Sequence, residues 1–122
     1  MIGSKILLIG FLVASSLYAS NAEDLIDQNG CLACHAVASK KAAPAFKGTA
    51  RKNLKWYSGE AKLKIIDSIK NGSKGKYRQF SDTSMPAYKH LSDTDLDKIA
   101  NWILDLYRNN INRGNNRQGR NF

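Results

Sequence analysis

The chain has 122 residues, with 19 basic side chains against 10 acidic ones and a formal net charge of +9 at pH 7. That length sets an expectation of one domain, and two cysteines leave no choice of pairing. The basicity points to acidic partners or an anionic surface and carries no information about the fold.

In chain order, Lys5 gives a short positive start, residues 6–13 form an apolar run broken only by Gly10, and Ser20-Asn21-Ala22 place small side chains where a signal peptidase reads. The apolar run is shorter than the roughly 20 residues a membrane span needs. Residues 1–22 therefore read as a secretory signal cleaved after Ala22, the alternative being an uncleaved N-terminal anchor. Residues 23–29 suit one or two helical turns. Glu23, Asp24 and Asp27 lie near the positive end of the helix dipole, Leu25 and Ile26 face inward, and Gly30 ends the helix or admits close backbone approach.

Next comes Cys31-Leu32-Ala33-Cys34-His35. Two cysteines two residues apart, followed at once by histidine, read as a c-type haem attachment site. Two thiols on one turn can each add to a vinyl group of one porphyrin, and the adjoining imidazole of His35 is then held under the iron as its proximal ligand. Three other readings compete. A thioredoxin-like pair expects a neighbouring βαβ pattern, which is not visible. A structural zinc site needs four ligands, and His35 directly beside Cys34 suits a tetrahedron poorly. A plain disulfide would make His35 a coincidence.

Residues 36–43 read as a loop that exposes Lys40 and Lys41 and closes at Pro44. Residues 49–57 suit a short basic helix with Leu54, Trp56 and Tyr57 as its apolar members. In residues 60–70, Leu63, Ile66 and Ile69 recur at helical spacing, with Lys62, Lys64 and Lys70 solvated. Asn71-Gly72 stops that helix, and residues 73–84 read as loop carrying Lys74, Lys76 and Arg78.

Met85 follows, the only methionine outside the leader. A haem closed by a second protein ligand favours electron transfer over ligand binding, and Met85 is the candidate, with Pro86 fixing the local φ. Met85 can instead fill a core gap, and His90 would give a bis-histidine haem. Ser92 then caps the last helix, with Asp95 three residues later in a shortened capping box and Leu91 and Leu96 as a hydrophobic staple. Leu96, Ile99, Ala100, Ile103, Leu106 and Tyr107 mark one face, with Trp102 beside it. Residues 108–122, rich in Asn, Gly and Arg, read as a disordered tail. Its Arg113, Arg117 and Arg120 read first as plainly solvated, the alternatives being weak contact with anionic membrane lipid, an acidic protein or nucleic acid.

These residues together resemble the small class I c-type cytochromes, nearest the bacterial cytochrome c-551 type, over residues 24–107. The resemblance is carried by Gly-Cys-Leu-Ala-Cys-His (30–35), Ala-Pro-Ala-Phe-Lys (43–47), Ile-Lys-Asn-Gly-Ser (69–73), Ser-Met-Pro (84–86) and Ala-Asn-Trp-Ile (100–103). It implies an all-α cytochrome c fold, about four short helices over residues 23–107 around one covalently bound haem c. It also implies that the Pro44 carbonyl accepts the His35 Nδ1 proton, that Met85 is the distal ligand, and that the terminal helix crosses the first. Two departures stand out. Where the family often has an arginine and a tryptophan bonding a haem propionate, this chain has Ser68 and Tyr77; Tyr77 can still donate, and Arg78 is the candidate for the charge. The loop from 77 to 85 looks longer than in close relatives, with Tyr88 near the place of the asparagine that commonly supports the methionine sulfur.

The expected function is that of a soluble, periplasmic, monomeric electron carrier and not an enzyme. Lys40, Lys41, Lys47, Lys52 and Lys55 would steer it to acidic redox partners, and no nucleic acid is expected. The alternatives are a haem enzyme or gas sensor with an open sixth site, and a subunit docked to a larger respiratory complex.

Overall fold

The computed structural model describes residues 19–118, with side chains as far as residue 113. Nearly all of the expected signal segment, the side chain of Arg117 and the whole of Arg120 lie outside the described residues.

Helix α1 spans Ala22–Gln28. Asn21 is its N-cap: the side chain accepts from Asp24 N at 2.9 Å while the Asp24 carboxylate reaches back to Asn21 N, a reciprocal box of the kind worth about 1 kcal/mol. A cut after Ala22 would remove that cap. At the other end Asn29 Nδ2 donates to Leu25 O at 2.7 Å. Gly30, at φ +67°, then turns the chain out of the helix, a left-handed conformation glycine adopts without a Cβ penalty.

Helix α2 spans Phe46–Tyr57, beginning ahead of the expected Thr49. Ala45 offers no side-chain cap, but the loop substitutes for one. Phe46 N and Lys47 N donate to the carbonyls of Ala36 and Val37, each at 3.0 Å, satisfying donors that a helix start leaves free. Its buried residues are Phe46, Ala50 and Asn53, while Trp56, expected as an apolar member, is 47% exposed.

Helix α3, Ala61–Asn71, buries Ala61, Ile65 and Ile69. Of the expected stripe, Ile69 lies on this face and Ile66 packs at its edge, but Leu63 is 63% exposed. The i, i+4 row won over the i, i+3 row, and alanine at position 61 carries too little apolar weight to mark the face in sequence.

Two short strands follow, β1 (Ser73–Lys74) and β2 (Ser84–Met85), paired antiparallel with Ser73 opposite Met85. Two residues are too few to show alternation, and the ribbon interrupts what reads in sequence as loop.

Helix α4 spans Asp93–Gln118. Ser92 Oγ accepts from Asp95 N at 3.1 Å as expected, and Leu96, Ile99, Ala100 and Ile103 are buried together with Leu104. The helix runs through Gln118, so the described backbone is helical over residues 108–118, where the sequence reads as tail, and residues 119–122 lie outside the described residues. No proline interrupts it, and Arg108 pairs with Asp105 one turn back at 3.6 Å.

Helix α4 packs on α1, α2 and α3. Ile26, Leu96 and Leu104 are almost completely buried at its contacts, each such side chain contributing on the order of 1.5–3 kcal/mol. Lys62 to Asp97 at 2.7 Å ties α3 to α4. Lys98 Nζ donates to Ser20 O at 3.0 Å, holding the segment before α1 against α4. No helix among the described residues is long and apolar enough to cross a membrane.

Candidate haem-binding site

All four helices and the ribbon contribute to one apolar cavity, with Ile26, Ile65, Ile69, Ile99 and Ile103 among its walls. Cys31, Cys34, His35, Pro44, Tyr77 and Met85 line it too, so the structure brings these sequence-selected residues to one place.

The two cysteines sit on a single tight turn. Cys34 N and His35 N both donate to Cys31 O, at 3.3 and 2.9 Å. Both thiols are free; burial pushes the Cys31 thiol up, a backbone hydrogen bond partly opposing it. Among the described residues no group of three or more His, Cys, Asp or Glu is placed to hold a metal ion, which leaves a four-ligand zinc site without ligands.

His35 is fixed from two sides. Its Nδ1 lies 2.6 Å from Pro44 O, and because a carbonyl only accepts, Nδ1 carries the proton. Nε2 is left with its lone pair, the form in which a neutral imidazole ligates a metal. The ring also stacks on Phe46, centroids 4.9 Å apart at 17°, and Phe46 in turn meets Trp102 edge-on at 5.5 Å and 81°.

Met85 is held by backbone. It ends β2 opposite Ser73, and just beyond it Tyr88 N donates to Ile69 O at 2.9 Å, tying the segment to α3. Gly72 makes this approach possible. At φ +80° and ψ 171° it occupies a region essentially reserved for glycine, and a Cβ there would lie 2.8 Å from Met85 O. His90 is exposed, does not line the cavity, and its Nε2 lies 2.8 Å from Asn29 Oδ1.

A polar network occupies part of the wall. Asn53, fully buried, donates from Nδ2 to Thr49 O at 2.8 Å and to Tyr77 Oη at 3.0 Å, while its Oδ1 accepts from Lys76 Nζ at 3.1 Å. Burial pushes the Tyr77 phenol up, hydrogen bonds with Thr49 and Asn53 partly offsetting it. Since Tyr77 accepts from Asn53, its own proton remains available to donate. Arg78 is exposed and is not among the lining residues. Sequence reasoning missed Phe46, Asn53, Gly72 and Lys76. Gly72 carried a signal as a helix stop and Phe46 stood in the Ala-Pro-Ala-Phe-Lys stretch of the resemblance, while Asn53 and Lys76 carried none.

The cytochrome c family model matches residues 19–107 of this chain. Cytochrome c-552 of Nitrosomonas europaea is 36% identical over 102 residues, covering 80% of this chain and 94% of that protein. Cytochrome c-551 of Pseudomonas aeruginosa is 35% identical over 100 residues, covering 82% and 90%. The chain belongs to the cytochrome c family. It is a small class I c-type cytochrome, an electron-transfer protein and not an enzyme, and its cofactor is one covalently bound haem c. The crystal structure of wild-type Nitrosomonas europaea cytochrome c552 superposes on it with a TM-score of 0.59 at 37% identity, covering 69% of this chain and 98% of that one.

The residues of this cytochrome fit the group. Two free thiols on one turn, an imidazole with its lone pair preserved, a thioether and apolar walls are what covalent attachment and burial of a porphyrin require. Among the described residues no aspartate or glutamate lines the cavity, so none of their carboxylates opposes burial of the apolar ring.

Proposed function

We propose that this cytochrome is a soluble periplasmic electron carrier whose haem iron is ligated by His35 and Met85. The observation that carries the reading is that both side chains line one cavity and that each is positioned by backbone. Pro44 O orients the imidazole, and the ribbon with Gly72 presents the methionine. Bound there, the haem supplies an iron that changes oxidation state by one electron. Cys31 and Cys34 hold it through thioether bonds, so it is not lost when partners exchange. His35 would hold the iron through Nε2, the nitrogen left free by the Pro44 contact. Met85 supplies a thioether sulfur, which favours the reduced state and holds the potential above that of a bis-histidine centre. Were His35 and Met85 both to hold the iron, peroxide and small gases would find no open site, which separates this reading from a haem enzyme or sensor. The leader-like start of the sequence and the extracytoplasmic completion of c-type attachment in this family support a periplasmic location.

Reduced wild-type protein is expected not to bind CO, and the ferric protein to show the weak far-red absorbance that accompanies methionine ligation in this family. Met85→Ala should abolish that band and admit CO. Wild-type protein that binds CO as readily as Met85→Ala would overturn the ligand assignment.

Partner docking through Lys40, Lys41, Lys47, Lys52 and Lys55 is part of the same proposal. Four of the five are exposed and Lys47 is half-buried. Lys41 also donates to Leu32 O at 3.0 Å, placing its ammonium beside the cysteine turn. Charge of one sign around the reacting edge raises encounter rates with an acidic partner. The second-order transfer rate is expected to fall about tenfold from low to physiological salt, and stopped-flow kinetics that do not change with salt would remove the steering role.

A further inference from the structure

Lys76 has no carboxylate within ion-pair distance among the described residues, although it is half-buried and lines the haem cavity. Its ammonium donates to two neutral acceptors, Asn53 Oδ1 at 3.1 Å and Ser68 Oγ at 3.0 Å, and lies 5.7 and 5.9 Å from the ring centroids of Tyr57 and Tyr77. An ammonium has three donors, so one is left over. Burial pulls Lys76 below the usual lysine range; Asp67 on α3 opposes this and Lys64 on the same helix adds to it. A buried cation without a partner is costly unless a counter-ion is supplied. Among the described residues no side chain supplies one within ion-pair distance, but the cofactor this family carries has two carboxylates as its only charged substituents.

We propose that Lys76, held by Asn53 and Ser68, is the counter-ion of a haem carboxylate and keeps that carboxylate ionised, so that the reduction potential does not vary with pH near neutrality. Tyr77, whose hydroxyl proton is free to donate, is the neutral second donor to the same group. Arg78, which sequence position alone suggests, is exposed and does not take part. The inference rests on the haem and not on which residue is its sixth ligand, so CO binding and the far-red band can fail while this assignment stands, and the reverse.

The groups around Lys76 set the sign. On α3, Asp67 and Lys64 face it with opposite charge; on α2, Asn53 and Tyr57 are neutral; Tyr77 beside it is neutral, and Lys52 Nζ lies 5.0 Å from the centroid of the Tyr77 ring. Replacing Lys76 removes the one cation bonded into the network. The carboxylate then binds its proton more tightly, and it binds it more tightly still when the iron is reduced, because the ferric centre carries one more positive charge. Reduction then takes up a proton, and the potential falls as pH rises.

The test is a spectroscopic redox titration of full-length holoprotein between about pH 5 and 8. Wild type and Arg78→Gln should give the same flat profile. Lys76→Gln should match them near the acid end and favour the ferric state about tenfold near the alkaline end, a lowering of about 59 mV for one electron. Lys76→Arg should restore the flat profile. Lys76→Gln with a flat profile, or with an offset equal at every pH, would show a structural role only and overturn the proposal. Should Lys76→Gln fail to mature, wild type and Lys76→Arg still decide, because a slope in either overturns it.

Discussion

Gly72→Ala is expected to unfold with a stability loss of about 3 kcal/mol and to lose the proposed methionine ligation in the molecules that remain folded. Two costs add. The backbone at φ +80° and ψ 171° charges any residue with a Cβ about 1–3 kcal/mol. The new methyl would also lie 2.8 Å from Met85 O and 3.3 Å from Ala87 N, and these are backbone atoms that cannot swing aside as a side-chain tip does. Relief requires moving β2, and β2 carries the sulfur. A loss of this size lowers Tm by about 10–20 °C in a domain this small. The ferric far-red band should fade, and the reduced form should take up CO. Gly75→Ala separates strain from displacement. Gly75 also has positive φ, at +66°, but a Cβ there would meet only Ser81 O at 3.7 Å. It should lose about 1 kcal/mol and keep the band. Gly72→Ala with an unaltered ferric spectrum would detach Met85 from the iron, whatever its stability.

The contrast between those two glycines explains what the sequence made legible. The candidate anchor was readable because its pattern is local: Cys31, Cys34 and His35 are close in sequence and share one turn. The last helix was readable for a similar reason, since Asp95 follows Ser92 at capping-box spacing and the α4 stripe repeats over several turns, whereas the Asn21 cap of the first helix was hidden in a segment read as leader. Parts of the site that depend on residues distant in sequence were not. Nothing near Asn53 announces that it will be fully buried, because its partners Tyr77 and Lys76 come from a loop beyond α3. Lys76 lay within a basic run that looked uniformly solvated, and only packing distinguishes it from Lys74 and Arg78, which are exposed. The α3 face was misjudged because alanine at 61 is silent in a hydrophobic pattern, whereas Leu63, the most apolar residue of the first turn, points outward. The length of α4 was underestimated because composition argued for disorder from Arg108, although no proline stops a helix already under way.

Phe46→Ala carries the other large expected effect, because Phe46 links the core to His35, the proposed iron ligand. Its side chain is 5% exposed, and truncating a buried phenylalanine costs about 3–5 kcal/mol. Bulk is only part of what is lost. The ring lies nearly parallel to His35 at 4.9 Å and edge-on to Trp102 at 5.5 Å, contacts worth about 0.5–1.5 kcal/mol each beyond area. Without Phe46 the imidazole keeps the Pro44 hydrogen bond, which restrains Nδ1 but leaves the ring free to rock about that bond. Phe46→Leu divides the two contributions. It restores most of the buried volume and should recover all but about 1–2 kcal/mol, yet it cannot restore a stack. Denaturant unfolding of the holoproteins should therefore rank wild type, Phe46→Leu and Phe46→Ala in that order. The ferric NMR shifts of the haem methyls, which follow the orientation of the axial imidazole plane, should move in both variants. A Phe46→Leu protein with unshifted methyl resonances would mean that Pro44 alone fixes the ring, and Phe46 would then be core and nothing more.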